Sequence, residues 1–218
     1  MEFDSAPGTS ASRTVLDRHL AGLEPVKPTP LDALAAARRA YHQGQRIDMG
    51  VLAAELGVSR VTLNRWVGTR EDLLGEVTWD LMRRTLDRVD GDSTATGGTR
   101  VIAALRGLVE SAAEHRGHQM FVEREGVLAM KINTSAKGRV EPRLVSYVRA
   151  LLAEEIDAGR MVMDPEIGAD VDTIAYAVVQ VSVAFIWRPF ITGEPPNPVG
   201  LESVLKLMLC DSLVARSA

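Results

Sequence analysis

The stretch Ile47–Arg70, IDMGVLAAELGVSRVTLNRWVGTR, decides the fold. It reads as two short helices joined by a tight turn. Met49 to Leu56 forms the first and turns Leu52, Ala53 and Leu56 inward. Gly57 supplies the positive φ that the turn needs, and Val58 packs inward. Ser59 stands where an N-cap hydroxyl can accept a backbone N–H of the next helix. That helix, Arg60 to Val67, buries Leu63 and turns Arg60, Val61, Thr62, Asn64 and Arg65 outward. Ala53 is small where two helices must cross closely. Asp48 sits at the N-terminus of the first helix, where a carboxylate caps backbone amides and complements the helix dipole. The pattern is that of a helix-turn-helix, whose second helix enters the DNA major groove.

Charge supports the reading. Between Arg38 and Arg70 six arginines (38, 39, 46, 60, 65 and 70) face two acids, Asp48 and Glu55, so the segment carries +4 within a chain of net charge −4. Basic charge concentrated on the motif of an otherwise acidic chain is the footprint of a phosphate-binding face.

GVSRVTLNRWVGTREDLL, with the residues upstream through Ile47, resembles the N-terminal signature of the TetR family of bacterial repressors, which commonly runs GVSxGTLYxHFxxKEELL. The resemblance implies an all-α protein: an N-terminal helix-turn-helix head, a helical body that binds a small molecule, and a homodimer built from the last helices. It departs at Val61, Asn64, Trp66 and Val67, all on or beside the reading helix, so the family's base preferences do not carry over. Side-chain geometry suits Arg60 to guanine and Asn64 to adenine. Val61 and Thr62 face base edges or adjacent phosphates. Arg65, Trp66 and Arg70 are expected to hold phosphate or sugar, Trp66 through its indole N–H.

A chain of 218 residues with 46% hydrophobic and 25% charged residues is ordinary for a globular protein large enough to bury a core. Residues 1–30 read as an N-terminal extension with a short helix at Arg13–Leu23, broken by Pro25, Pro28 and Pro30. Residues 31–75 read as the DNA-binding domain and 76–218 as the ligand-binding and dimerisation domain. A first helix at Leu31–His42 backs the reading pair. Thr69-x-x-Asp72 resembles a capping box opening a long helix to about Val89. Five more helices follow, near Thr99–His115, Gln119–Met130 (Val127 and Leu128 inward), Val140–Ala158, Ala169–Phe190 and Val199–Ala215. The last two are apolar on most sides, which suits burial against a second copy.

The single cysteine, Cys210, excludes an intramolecular disulfide and fits a reducing, cytoplasmic setting. MEFDSAPG lacks signal-peptide character, and the apolar stretch Ile174–Trp187 is shorter than the ~20 residues of a membrane span. Catalytic patterns are missing: there is no Gly-x-Ser-x-Gly, no Cys/His pairing and no His-Glu-x-x-His. His115 and His118 straddle Gly117 and read as surface residues at a helix boundary, not as metal ligands. Glu110, Glu123 and Glu125 read as a solvated face. No catalytic residue, metal or cofactor is expected.

For an effector pocket the candidates are Trp79, Met120, Phe121, Tyr147, Tyr176, Gln180 and Trp187: flexible or aromatic bodies, and one polar residue within the most apolar helix. No run of charge has to face inward, so a small, largely apolar, neutral effector is expected. FIWRPFITGEPPNP (185–198) resembles QsdR-type regulators of lactone catabolism within the same family, which implies a lactone effector. The rivals are a helical protein-interaction module that has lost DNA binding, and a small helical enzyme.

Overall fold

The computed structural model describes residues 27–135, 138–163 and 168–209. The expected Arg13–Leu23 helix, Cys210 and the end of the last helix lie outside them. Among the described residues the secondary structure is entirely helical: α1 Pro30–His42, α2 Met49–Glu55, α3 Arg60–Val67, α4 Arg70–Asp92, α5 Gly98–Glu114, α6 Arg116–Thr134, α7 Glu141–Asp157, α8 Val171–Thr192 and α9 Pro198–Leu209.

Local chemistry starts each helix of the head. Pro30 opens α1 behind a reciprocal Thr29/Asp32 capping box. Asp48 Oδ1 accepts the amides of Gly50 and Val51 at 2.7 and 3.0 Å, and those bonds hold its carboxyl below the usual aspartate range. Ser59 Oγ accepts the Thr62 amide at 3.0 Å to start α3. Thr69 and Asp72 form the box that starts α4. Gly57 has φ +66° with open space around it, so the turn needs its backbone freedom, not its small size.

Two apolar clusters organise the molecule. One joins Ala33, Ala36, Ala37, Tyr41, Ile47, Leu52, Ala53 and Leu63 of α1–α3 to Leu73, Leu74 and Val77 of α4. It continues into Phe121, Val122, Ala129 and Ile132 of α6 and Trp187 of α8. The other fills the body with residues of α4, α5, α7, α8 and α9, among them Leu105, Leu144, Val148, Leu152, Val178, Leu201 and Leu205. α5 lies against α4 and α9, and α7 against α8.

Two polar devices tie these elements. Glu155, fully buried, receives Arg160, Arg100 and the Gly97 amide at 2.6–2.9 Å, and these donors hold its carboxyl down at about 2. Glu125, read from sequence as part of a solvated face, instead has a side chain only 17% exposed and takes both terminal nitrogens of Arg70 at 2.8 and 2.6 Å. Glu125 also leaves helical geometry (φ −138°, ψ 43°) and kinks α6. Val127, expected inward, is 89% exposed: the buried residues Phe121, Val122, Ala129 and Ile132 keep one face at helical spacing, and Val127 falls off it. α8 runs 22 residues, longer than the apolar stretch read from sequence. By length and composition it is apolar enough to cross a membrane, yet Ile174, Ala175, Val178, Val179 and Ile186 pack into the body core.

Candidate DNA-reading surface and effector cavity

On α3, Leu63 is wholly buried, while Arg60, Val61, Asn64 and Arg65 are exposed and Thr62 is half-buried. Trp66 is half-buried against the head core. The other arginines of the segment have acidic partners. Arg39 pairs with Glu55 at 2.8 Å, Arg38 with Asp80 at 2.7 Å, and Arg46 lies 3.8 Å from Glu125. Among the described residues Arg60 and Arg65 make no ion pair, so the free positive charge of the motif concentrates on α3. Arg70 is the exception to the sequence reading. Besides Glu125, its Nε–H donates to the Ile47 carbonyl at 2.7 Å. Its guanidinium is held inside the protein at the start of α4, where it ties the head to α6 and is not turned outward.

The principal cavity, about 450 Å³, lies where head and body meet. α1 contributes Arg38, Tyr41 and His42; α4 contributes Thr78, Leu81, Met82, Arg84, Thr85 and Arg88; α5 and the start of α6 contribute Leu108, Ser111, Ala112, His115 and His118. The α4 residues share a face through three- and four-residue spacing. Gly117 allows the close approach of α1 and α6, since a Cβ there would sit 2.1 Å from the Tyr41 carbonyl oxygen.

Depth sorts the lining chemically. Tyr41, Thr78, Leu108 and His118 are buried, whereas His42, Arg84 and Arg88 are exposed. Tyr41 Oη lies 2.9 Å from His118 Nδ1. Burial keeps the phenol protonated and pushes the His118 imidazole down to about 4, so both are neutral near pH 7. Which of the two atoms donates is set by the His118 tautomer. His118 Nε2 is buried with no hydrogen-bond partner among the described residues, and the Thr78 hydroxyl stands beside the Tyr41 phenol, where it opposes the effect of burial. His115 Nδ1 accepts the His118 amide at 3.0 Å, so its Nε2–H donates to His42 Nδ1 at 2.8 Å. Burial and the neighbouring His42 both lower the His115 pKa.

This corrects the sequence reading of the histidines: His118 is buried, and His115 is half-buried and hydrogen-bonded to the end of α1. No group of three or more His, Cys, Asp or Glu side chains among the described residues is arranged to hold a metal ion.

None of the seven residues proposed from sequence for the effector lines this cavity. Phe121 and Trp187 stand directly behind it, 5.6 Å from the Tyr41 ring and 6.4 Å from the His118 ring. Trp79 packs against both apolar clusters, with the Arg143 guanidinium 6.0 Å from its ring. Met120 covers Gly44. Tyr147 is half-buried in the body, its phenol pushed up to about 12 by burial and neighbouring acids. Tyr176 is exposed, and Gln180 donates to Glu141 Oε1 at 3.1 Å to join α8 to α7. The lining differs from the expectation that no run of charge faces inward: three arginines and three histidines contribute to it and, among the described residues, no acid does. The missed residues carried one signal: His115, Gly117 and His118 mark a helix crossing, where glycine serves contact between backbones.

A family model described as tetracyclin repressor-like, C-terminal domain, matches residues 96–210, more than half of the chain. Among solved structures, the transcriptional repressor QsdR of R. erythropolis aligns with a TM-score of 0.75 at 22% identity, over 87% of this chain and 97% of that one. RolR in complex with resorcinol aligns with a TM-score of 0.60 at 16% identity, over 83% of this chain and 87% of that one. At those identities the structural likeness speaks for the fold. A search of curated protein sequences returns no match. The matched body, behind a capped helix-turn-helix, places this chain in the TetR family of transcriptional regulators.

Proposed function

We propose that this protein is a cytoplasmic, homodimeric repressor that holds a palindromic operator through α3 and releases it when a small effector with a largely apolar body binds. One observation carries the DNA half: α3 is capped at Ser59, anchored by Leu63, and presents Arg60 and Arg65 without ion pairs beside exposed Val61 and Asn64. Arg60 and Asn64 read base edges, with Val61 and Thr62 alongside, while Arg65 and the half-buried Trp66 hold backbone. Arg70 acts instead as the tie between head and body.

The effector half rests on the cavity, which is of a size typical of small-molecule sites. It adjoins α1, so an occupant can bias the seat of the head. A lactone effector, as the 185–198 resemblance implies, remains a specific form of this proposal.

The test is binding to the DNA flanking the protein's own gene, across a salt series and against scrambled DNA. Tight, sequence-preferring binding that weakens steeply with salt is expected. Arg60→Ala should cost about 1–3 kcal/mol and relax preference at one base position. Weak binding indifferent to sequence and salt would favour a protein-interaction module instead.

A further inference from the structure

We infer that the cavity between head and body takes an amphipathic organic anion, with its carboxylate at the mouth and its apolar body along the inner wall. The inference rests on the regulator reading and adds the chemistry of the effector. The inner end is closed by the buried residues Tyr41, Thr78, Leu108 and His118. The wall between is apolar: Leu81, Met82, Leu108 and Ala112.

The mouth is cationic. Asp80 accepts from both Arg38 and Arg84, so one carboxylate is shared by two guanidinium groups. Arg88, four residues after Arg84, makes no ion pair among the described residues, and no acid lines the cavity. A carboxylate here stays near solvent, avoids the desolvation cost of the buried end, and meets Arg88 in a charge-assisted hydrogen bond. A neutral ligand of the same shape would fill the apolar wall and leave Arg88 unused.

The experiment is calorimetric titration of the full-length protein with two acids, chain-end hydroxydecanoate and para-hydroxyphenylpropanoate. Each is compared with its primary amide, and γ-decalactone serves as the uncharged lactone. At least one acid should bind about tenfold more tightly than its amide. Arg88→Gln, an exposed change, should reduce that gap about threefold.

No binding by either acid up to millimolar concentration would overturn the inference. Amide or lactone binding as tightly as the acid would overturn it too, as would an acid preference untouched by Arg88→Gln. Operator binding measured on the same preparation separates the two readings: intact DNA affinity without acid binding sinks the ligand alone, and absent DNA affinity sinks the regulator.

Discussion

Tyr41 and His118 meet across the junction of α1 and α6, and their pairing has a measurable consequence. Burial lowers the His118 pKa from its usual 6.5 to about 4. The folded state therefore resists a proton that the unfolded chain accepts. Stability is complete above about pH 6.5 and falls as pH drops toward 4; below that both states are protonated and this contribution levels off. Chemical denaturation at stepped pH should show a loss of about 2–3 kcal/mol across that window. His118→Gln should remove most of that slope; an unchanged slope would show that the imidazole does not govern it. Arg60 and Asn64 were legible as outward residues because a short helix anchored by one Leu has a defined outer face. His118 was not, since burial of a lone polar residue depends on which helix crosses it.

At the scale of elements, the kink of α6 at Glu125 and the start of α4 at Arg70 form a single latch. Arg124 reinforces it by donating to the Gly44 carbonyl at 2.8 Å, in the turn between α1 and α2. The pair is partly shielded from solvent, so it is worth more than a surface ion pair. Glu125→Ala and Arg70→Ala should each destabilise by about 1–3 kcal/mol, with a coupling energy of about 1–2 kcal/mol in a double-mutant cycle. Strict additivity would rule the latch out. Because α6 also carries His118, a cavity occupant and the latch act on the same helix. The helices themselves were legible in the sequence, caps included: Asp48, Ser59 and Thr69 stand where local hydrogen bonding starts α2, α3 and α4. The kink was not, because the lone Gly126 beside Glu125 is a residue that a helix tolerates, and the bend depends on the capture of Glu125 by Arg70.

At the scale of the whole molecule, α8 and α9 leave Tyr176, Ile191, Val199 and Val204 exposed on a single chain. Such a surface calls for a second copy. Val204→Glu should weaken self-association by about 1–3 kcal/mol in sedimentation velocity and reduce operator affinity with it; an unchanged molecular mass distribution would place the dimer elsewhere. By itself the sequence determined what depends on neighbours along the chain: helical periodicity, caps, the glycine turn and the outward face of α3. Tertiary structure alone decided which charges remain free and where a ligand can sit. Arg70 and Arg60 look equally available in the sequence, yet a partner 55 positions away captures one and leaves the other outward. The cavity is likewise assembled from α1, α4, α5 and α6, and it exists only where those helices cross.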